Sequence, residues 1–388
     1  MTLPVIAIVG ASGAVGSGAL ACLIQDNERY MLRAAYYTRP PQDIDTHRSV
    51  CWRRVNVYDE LSFTQFCNGC TVVVNTAGPS SLIGDRVARA ADKAGADYVD
   101  AYGGRLLTEL LQASPLSIKR RVIHSAGIYP GLSELLPRWL ARTHFDNVHT
   151  LRGWCGGREV CSPAAAVDVL ASTHQGFGHA GAIWENGSRI TNAMAAHADA
   201  DLPGFAGRVY VQPFLSEELE LLGRDLDLRD VRWGNVMAST RALEVIARWG
   251  RRLGAHATAM NTETYRQLQQ QAVDELVDTA RMDLAGQTAY YRLLIEMEGI
   301  RAGTAKRLRA VLKARDSYRV SGAVAANAAS MLVTDPPPPG IYRADCVLDW
   351  EKVLRTLRHN RCIDDFTIAS LSASCCNDGP DQIEEGVL

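Results

Sequence analysis

An apolar, strand-forming run that breaks into three evenly spaced glycines constrains this chain more than any other feature. Residues 5–20 are VIAIVGASGAVGSGAL, with Gly10, Gly13 and Gly16 followed by an alanine- and leucine-rich segment. The pattern predicts a strand over 5–10 and a helix over 14–25, with the glycines in the turn between them. Glycine is the residue that lets such a turn adopt a tight backbone and approach another backbone closely.

The order strand, turn, helix repeats through the first third of the chain. Apolar segments predict further strands at 32–38, 53–59, 71–78, 97–103 and 121–127, and a helix at 81–95. Strands that are continuously apolar and alternate with helices are typical of a parallel sheet covered on both faces. We therefore predict an α/β fold that starts with a Rossmann domain, a doubly wound parallel sheet.

The pattern changes after Gly127. Helices are predicted at 131–143, 162–174 and 322–332, and a strand at 149–157. Residues 292–300 and 306–314 flank a short turn, and 306–314 alternates apolar with charged side chains. Period-two alternation means one buried and one wet face, so we expect a second, α+β domain with a mostly antiparallel sheet.

These changes define the expected domain boundaries. Residues 1–128 are predicted to form the Rossmann domain and 129–334 an α+β domain for substrate binding and dimerisation. The DPPPPG stop at 335–340 leads to a final helix over 345–358, which we expect to return to the Rossmann domain as part of 335–365. The remaining residues, 366–388, are polar and acidic, and we expect a frayed tail there.

The position of the glycine turn predicts a phosphate site. Gly10 permits the turn, Gly13 lets the backbone approach a pyrophosphate, and Gly16 lets the helix pack on the sheet. The amino end of the helix offers free N–H groups and a partial positive charge. Ser12 adds a hydroxyl. The spacing G-x-x-G-x-x-G is a variant of the dinucleotide fingerprint, and its place between strand and helix predicts a dinucleotide cofactor.

The end of the second strand favours NADP(H) over NAD(H). An acidic residue there bonds the ribose 2′-hydroxyl of NAD, but this chain has Thr38 and Arg39. A guanidinium can hold a 2′-phosphate with two hydrogen bonds.

Ligands of open α/β sheets lie beyond the carboxyl ends of the strands, so the residues that end the later strands are also candidates. The strand at 71–78 runs into Thr76, Ala77, Gly78 and Pro79, which we expect along the cofactor's ribose. The next two strands end in Asp100 and Tyr102, and in His124, Ser125 and Gly127; these are expected near a nicotinamide.

Composition excludes several classes of function. The formal net charge of −2 gives no general attraction to nucleic acids or membranes. No secretion signal and no apolar run long enough to span a bilayer is visible, so we expect a cytoplasmic protein. The ten cysteines include one C-x-x-C pair, Cys67 and Cys70, without a second pair at ligand spacing. Free thiols and no metal site are expected.

Several motifs together resemble the saccharopine dehydrogenase-like reductases: GASGAVG, VVVNTAGP, YVDAYG, GIYPGLSELLP, WENG, ARDSYRVSG and PPPPGIYRADCVLDW. The resemblance extends over residues 5–358. It implies a Rossmann domain followed by an α+β domain that carries substrate contacts and a dimer interface. It also implies NAD(P)H-dependent reduction of a carbon–nitrogen double bond. Carried over by position, it adds Ala14 and Val15 to the pyrophosphate site and places Tyr318 as a side chain that reaches in from the second domain.

The substrate is expected to be less polar than saccharopine. We find no dense Arg and Lys constellation for two carboxylates, and residues 161–187 are rich in small and apolar side chains. Some relatives reduce imines, thiazolines or enoyl groups on carrier-bound natural-product intermediates, so the expected partner is a small molecule or a carrier-bound substrate. Hydride chemistry belongs to the nicotinamide, and the protein supplies a proton. Tyr102, His174, His179 and Tyr318 are the candidate donors, and Asp100 the candidate partner of an iminium cation.

Three functions compete at this point. The first is the NADPH-dependent reductase of C=N bonds, with an enoyl (C=C) reductase as its close alternative. The second is a short-chain-type epimerase or ketoreductase, which needs a Tyr-x-x-x-Lys helix near residue 150, where this chain has none. The third is a non-catalytic NADP(H)-binding protein on a Rossmann frame.

Overall fold

The computed structural model describes residues 3–25, 28–41, 50–173, 177–256, 262–371 and 383–384 of the 388-residue chain. Its strands are β1 (Val5–Val9), β2 (Met31–Tyr36), β3 (Val50–Arg54), β4 (Val72–Asn75), β5 (Asp97–Asp100), β6 (Arg121–His124), β7 (Asn147–Arg158), β8 (Gly178–Ala180), β9 (Ile183–Glu185), β10 (Ser188–Ile190), β11 (His197–Asp201), β12 (Arg208–Ser216), β13 (Asp230–Met237), β14 (Tyr290–Arg301), β15 (Thr304–Ala314), β16 (Gly340–Arg343), β17 (Asp365–Leu371) and β18 (Ile383–Glu384). Its helices are α1 (Ala14–Ile24), α2 (Glu60–Cys67), α3 (Ser80–Ile83), α4 (Arg86–Lys93), α5 (Gly104–Ala113), α6 (Leu132–His144), α7 (Pro163–Ser172), α8 (Glu217–Asp225), α9 (Thr240–Ala255), α10 (Glu263–Leu284), α11 (Ser317–Thr334), α12 (Ala344–Val347) and α13 (Trp350–His359).

The chain divides into two compact units. The first unit comprises Met1–Leu135 and Ser317–Cys362, and the second comprises Leu136–Asp316 and Ile363–Leu388. This division differs from the expected domain boundaries at one important place. Residues 317–334, which we assigned to the second domain, form α11 and belong to the first unit, and so does Tyr318.

The first unit contains a parallel sheet in the order β3-β2-β1-β4-β5-β6-β16. The first six strands follow the dinucleotide-binding order, which reverses between β1 and β4. Every residue of β4 is buried, as the unbroken apolar segment predicts. The predicted α/β class with an N-terminal Rossmann domain is confirmed.

Close contact between α1 and α11 explains why α11 lies in the first unit. A Cβ on Gly322 would stand 2.4 Å from both Ala19 N and Val15 O, and one on Gly18 would stand 2.9 Å from Arg319 Cα. The two helices therefore approach backbone to backbone at their glycines. Such an approach cannot be read from apolar spacing, because each glycine contributes no side chain to the periodic pattern.

The second unit is built on a mixed sheet of eleven described strands. In this second sheet, β7 with β13 is the only parallel pairing between described residues. Along β15, Leu308, Ala310 and Leu312 are buried, while Arg307 and Arg309, which flank Leu308, are half-buried. The predicted second domain with a mostly antiparallel sheet is confirmed. A separate apolar cluster joins α7, α9 and α10.

Four segments differ from the sequence prediction. The helix expected at 81–95 is divided into α3 and α4 at Gly84, which has a positive φ of 57°. The strand expected at 53–59 lies at Val50–Arg54. Asp59, the last residue of the expected strand, instead caps α2 by accepting a hydrogen bond from Ser62 N (3.2 Å). The final helix, expected as one segment, is broken into α12 and α13, since Asp349 caps the second by accepting from Lys352 N (2.9 Å). Residues 366–371 of the expected frayed tail belong to β17, which pairs with β15.

The C-x-x-C cysteines are buried free thiols. Burial, and secondarily the neighbouring Cys70, raises the pKa of the Cys67 thiol to about 12, so its reactive thiolate is suppressed. Within the described ranges, no group of three or more His, Cys, Asp and Glu side chains is arranged to hold a metal ion.

None of the helices in the described parts of the chain has both the length and the apolar character that crossing a membrane requires.

Replacing Gly322 by alanine is expected to destabilise the first unit. Alanine improves helix propensity, but its methyl group would meet main-chain atoms of α1 that cannot rotate away. We expect a net loss of about 1–3 kcal/mol in the free energy of unfolding, seen as a lower urea midpoint. An unchanged or higher midpoint would show that α1 and α11 are not in close contact at this glycine.

Candidate functional site

The turn residues singled out in the sequence meet at one edge of the first unit's sheet. Because β1, β2, β4, β5 and β6 are parallel neighbours, their carboxyl ends lie on the same side. The predicted cofactor residues follow those ends: 10–16 after β1, 38–39 after β2, 76–79 after β4, and 125 and 127 after β6. This carboxyl edge is the candidate site.

Steric limits make glycine necessary in the turn after β1. Gly10 has a positive φ of 78°, and a Cβ on it would lie 2.9 Å from Ala77 N and Cα in the turn after β4. A Cβ on Gly16 would lie only 2.1 Å from Gly10 O. The turn is closed by Gly13 N, which donates to Gly10 O at 2.8 Å. The turns after β1 and β4 therefore lie against each other without side chains between them.

The amino end of α1 is open to a ligand. The helix begins at Ala14, and its cap residue Gly13 has no side chain to occupy the N–H groups of the first turn. Gly13 and Ala14 are exposed, Ser12 is half-buried, and Val15 is buried behind them. Backbone donors and the positive end of the helix dipole favour an anion here. This arrangement fits the pyrophosphate of a dinucleotide.

The segment after β2 presents Thr38 and Arg39, and both side chains are exposed. In this described segment, no carboxylate occupies the position where an acidic residue would bond a ribose hydroxyl.

The segment after β4 is more rigid. Thr76 Oγ1 donates to Val9 O (2.7 Å) and Ala77 N donates to Asn75 Oδ1 (3.2 Å), before the cis peptide bond between Gly78 and Pro79.

A buried hydrogen-bond cluster around Asp100 joins the ends of the middle strands. Its carboxylate accepts from Asn75 Nδ2 (3.1 Å), from the hydroxyl of Tyr98 and from the backbone N–H of Tyr102 (2.9 Å). Asp100 is only 3% exposed. Burial raises the pKa of its carboxyl group, against the lowering effect of these donors. We call Asn75, Tyr98, Asp100 and the Tyr102 amide the Asp100 cluster.

The Asp100 cluster surrounds the side chain that the sequence suggested as the partner of an iminium cation. Both carboxylate oxygens are engaged by protein donors, and the side chain is enclosed. Asp100 therefore holds the ends of β4 and β5 and the backbone of Tyr102.

The end of β6 is strained and buried. Ser125 has a positive φ of 55°, unusual for a residue with a side chain, and its N–H donates to Tyr102 O at 2.6 Å. Ser125 Oγ lies 3.0 Å from His124 Nδ1. Burial, then the adjacent Arg343 guanidinium, lowers the pKa of His124 to about 4, against the weaker opposing effect of Asp345. The imidazole is therefore neutral near pH 7.

The loop after β6 is held by main-chain contacts and by α11. A Cβ on Gly127 would lie 2.6 Å from Ala101 O, so this glycine allows the loop to rest on the segment after β5. Ser321 Oγ accepts from Ile128 N (3.2 Å), and Glu134 Oε2 accepts from Gly131 N (2.7 Å). These contacts fix the backbone that borders the edge beyond β5.

The five predicted catalytic residues do not all lie in one unit. Asp100, half-buried Tyr102 and half-buried Tyr318 belong to the first unit. Tyr318 was expected to reach in from the second domain; instead it lies in the first turn of α11, whose backbone contacts Gly18 of α1. His179 is half-buried in β8 of the second unit, where it pairs with Leu215. His174 lies outside the described residues.

Sequence reasoning missed the partners of Asp100. Asn75 and Asp100 end neighbouring strands and are register partners, and Tyr98 points to the same face as Asp100 because it lies two residues earlier on β5. The signal was present in the aligned polar ends of two apolar strands. It needed the knowledge that β4 and β5 are adjacent.

Comparisons with known proteins identify the fold. No family model and no curated protein matches the chain. Among solved structures, the saccharopine dehydrogenase (L-Glu forming) of Saccharomyces cerevisiae superposes with a TM-score of 0.63 at 13% identity, covering 95% of this chain and all of that one. DAP dehydrogenase of C. glutamicum, in complex with DAP, matches over 92% of this chain and 99% of its own at 14% identity, with a TM-score of only 0.44. The chain therefore shares the two-part fold of saccharopine dehydrogenase, as the sequence motifs suggested.

The lowered pKa of His124 predicts that the folded protein loses stability in mild acid. Between about pH 6.5 and about pH 4, the unfolded chain binds a proton at His124 that the folded protein does not, so the free energy of unfolding falls as pH falls. From about pH 7.5 to about pH 5 we expect a loss of about 2 kcal/mol from this residue. Urea unfolding of wild type and His124→Gln at both pH values measures it. Equal losses in both proteins would contradict a neutral, buried imidazole.

Proposed function

We propose that this protein is a nicotinamide-dependent oxidoreductase. The observation that carries the proposal is the turn after β1, where Gly10 and Gly16 leave no room for side chains and the first turn of α1 presents uncapped N–H groups. Gly10, Ser12, Gly13, Ala14, Val15 and Gly16 would hold the pyrophosphate. The fold shared with a dehydrogenase supports the proposal.

The remaining cofactor contacts follow from the strand ends. Thr76, Ala77, Gly78 and Pro79 would border the ribose, and Ser125 and Gly127 the nicotinamide. NADP(H) is favoured over NAD(H), since Arg39 is exposed directly after β2 and no acidic residue stands in the 38–39 segment. When bound, the nicotinamide supplies the hydride chemistry.

The proposed reaction is reduction of a carbon–nitrogen double bond in an imine- or thiazoline-like substrate, free or bound to a carrier. It is supported by the motif resemblance and by the shared fold. Such a reduction needs a proton at nitrogen, and the enoyl alternative needs one at carbon. Both reactions therefore need a proton donor at the edge of the sheet beyond β5.

Tyr102 is the proposed proton donor of the first unit. It follows β5, is half-buried, and has its backbone fixed on both sides: its N–H donates to Asp100 and its carbonyl accepts from Ser125 N. His124 near pH 7 is neutral and buried, so it is a poor acid. Tyr318 is the second candidate donor in this unit. Asp100 is a positioning residue that acts through Tyr102.

Cofactor binding should prefer NADPH and depend on Arg39. Fluorescence titration with NADPH and NADH is the measurement. Because Arg39 would bond only the 2′-phosphate, Arg39→Ala is expected to weaken NADPH binding about tenfold or more and to leave NADH binding unchanged.

Ala14→Asp is the matched test of the turn after β1. A carboxylate in the first helical turn stabilises α1 by about 0.3–1 kcal/mol through the helix dipole, yet repels a pyrophosphate. Binding of both nucleotides should be lost while stability is kept, with Ala14→Ser as the neutral control. If wild type binds neither nucleotide, the oxidoreductase proposal fails.

Measurements of turnover should distinguish the role of Tyr102 from that of Asp100. With imines, thiazolines and enoyl thioesters offered as acceptors, NADPH oxidation identifies the reducible bond. Tyr102→Phe is expected to lower kcat by about 10²-fold or more without changing NADPH affinity, since it removes the proton and keeps the ring. Asp100→Asn is expected to lower both kcat and thermal stability, because it disturbs the hydrogen-bond cluster.

Unchanged kcat in Tyr102→Phe would remove Tyr102 as the donor and direct attention to Tyr318. If no acceptor is reduced although NADPH binds, the protein is the non-catalytic NADP(H)-binding alternative.

A further inference from the structure

A second arginine lies beside the segment that holds Arg39. Arg54 is the last residue of β3, the strand next to β2, and its register partner is Tyr36, the last residue of β2. Val55 N donates to Tyr36 O at 2.8 Å, which keeps the two strands together to their ends. Arg54 therefore reaches the carboxyl edge of the sheet at the same level as the start of the 37–39 segment.

One hydrogen bond directs the Arg54 side chain toward that segment. Its Nε donates to Tyr37 O at 3.2 Å, one residue before Thr38. The side chain is exposed. Within the described residues, its terminal amines have no hydrogen-bond acceptor, so the two groups best suited to a bidentate contact are available. Among the described residues, the guanidinium therefore makes a hydrogen bond through Nε and none through its two terminal nitrogens.

The described residues around this segment carry a net positive charge. Arg53 and Arg54 are the last two residues of β3, and Arg39 lies in the segment after β2. In the described segments 28–41 and 50–59 the acidic residues are Glu28 and Asp59. Asp59 serves as the cap of α2. Among the described residues, neither Arg39 nor Arg54 has a carboxylate partner. Two exposed guanidinium groups that have no carboxylate partner in the described part of the chain favour a doubly charged anion.

We propose that Arg54 is a second binding residue for the 2′-phosphate of NADP(H), acting together with Arg39. The inference rests on the proposed function, because the adenosine ribose must lie beyond the end of β2. A phosphate monoester carries close to two negative charges and three acceptor oxygens, more than one guanidinium satisfies. Arg54 supplies the remaining charge from the neighbouring strand.

The experiment compares Arg54→Ala with Arg53→Ala. The two arginines are consecutive on β3, so they point to opposite faces, and Arg53 donates to Trp52 O of its own strand. Each variant loses one positive charge at the same edge of the sheet. Titrations use NADPH, NADH and adenosine 2′,5′-bisphosphate, the last as a probe that carries the 2′-phosphate without a nicotinamide.

In Arg54→Ala we expect affinity for NADPH and for the bisphosphate to fall about tenfold or more, with NADH affinity unchanged within about twofold. Arg53→Ala should change all three by less than about threefold. Arg54→Lys should recover part of the loss, since charge returns but the fork geometry does not.

Three results would overturn the inference: unchanged NADPH affinity in Arg54→Ala, an equal loss for NADPH and NADH, or an equal loss in the Arg53 variant. The proposed function fails separately, if wild type binds neither dinucleotide. If wild type binds NADPH and only Arg39→Ala weakens it, the proposed function stands and Arg54 has no part in it.

Discussion

The contact between the turns after β1 and β4 is the constraint on which the first unit depends. Gly10 lies against the backbone of Ala77, and Gly16 lies against the carbonyl of Gly10, at distances that no Cβ could occupy. Because these positions lack side chains, α1 begins close to the sheet with its N–H groups directed past the strand ends. The proposed binding of a pyrophosphate at this edge rests on this packing.

A second set of contacts organises the other half of the edge. The Asp100 cluster uses one buried carboxylate to join β4, β5 and the backbone of Tyr102, while Ser125 continues the connection to β6. A buried carboxylate with three donors holds its neighbours strongly, since losing any donor or the acceptor leaves a buried polar group unsatisfied. Tyr102 therefore has a fixed main chain although it lies after the strand, where loops are usually mobile.

The sequence predicted the site better where the signal was local than where it depended on neighbours. The glycine turn, Thr38, Arg39 and the strand-ending residues follow β1, β2, β4 and β6 as expected. The buried partners of Asp100 were not predicted, because they come from an adjacent strand and from a backbone N–H. The position of Arg54 beside the segment after β2 was not predicted either, since only strand order places the end of β3 there.

By itself, the sequence determined the classes of structure: continuous apolar strands separated by helices give a parallel sheet, and alternating charged strands give an antiparallel one. Those patterns are properties of single segments and survive without tertiary information. Tertiary structure decided which unit each segment joins and which side chains meet. Helix α11 lies in the first unit because Gly18 and Gly322 let two backbones touch, and β17 is ordered because β15 offers it a partner. Such pairings depend on shape and hydrogen bonding between distant residues, which no local pattern encodes.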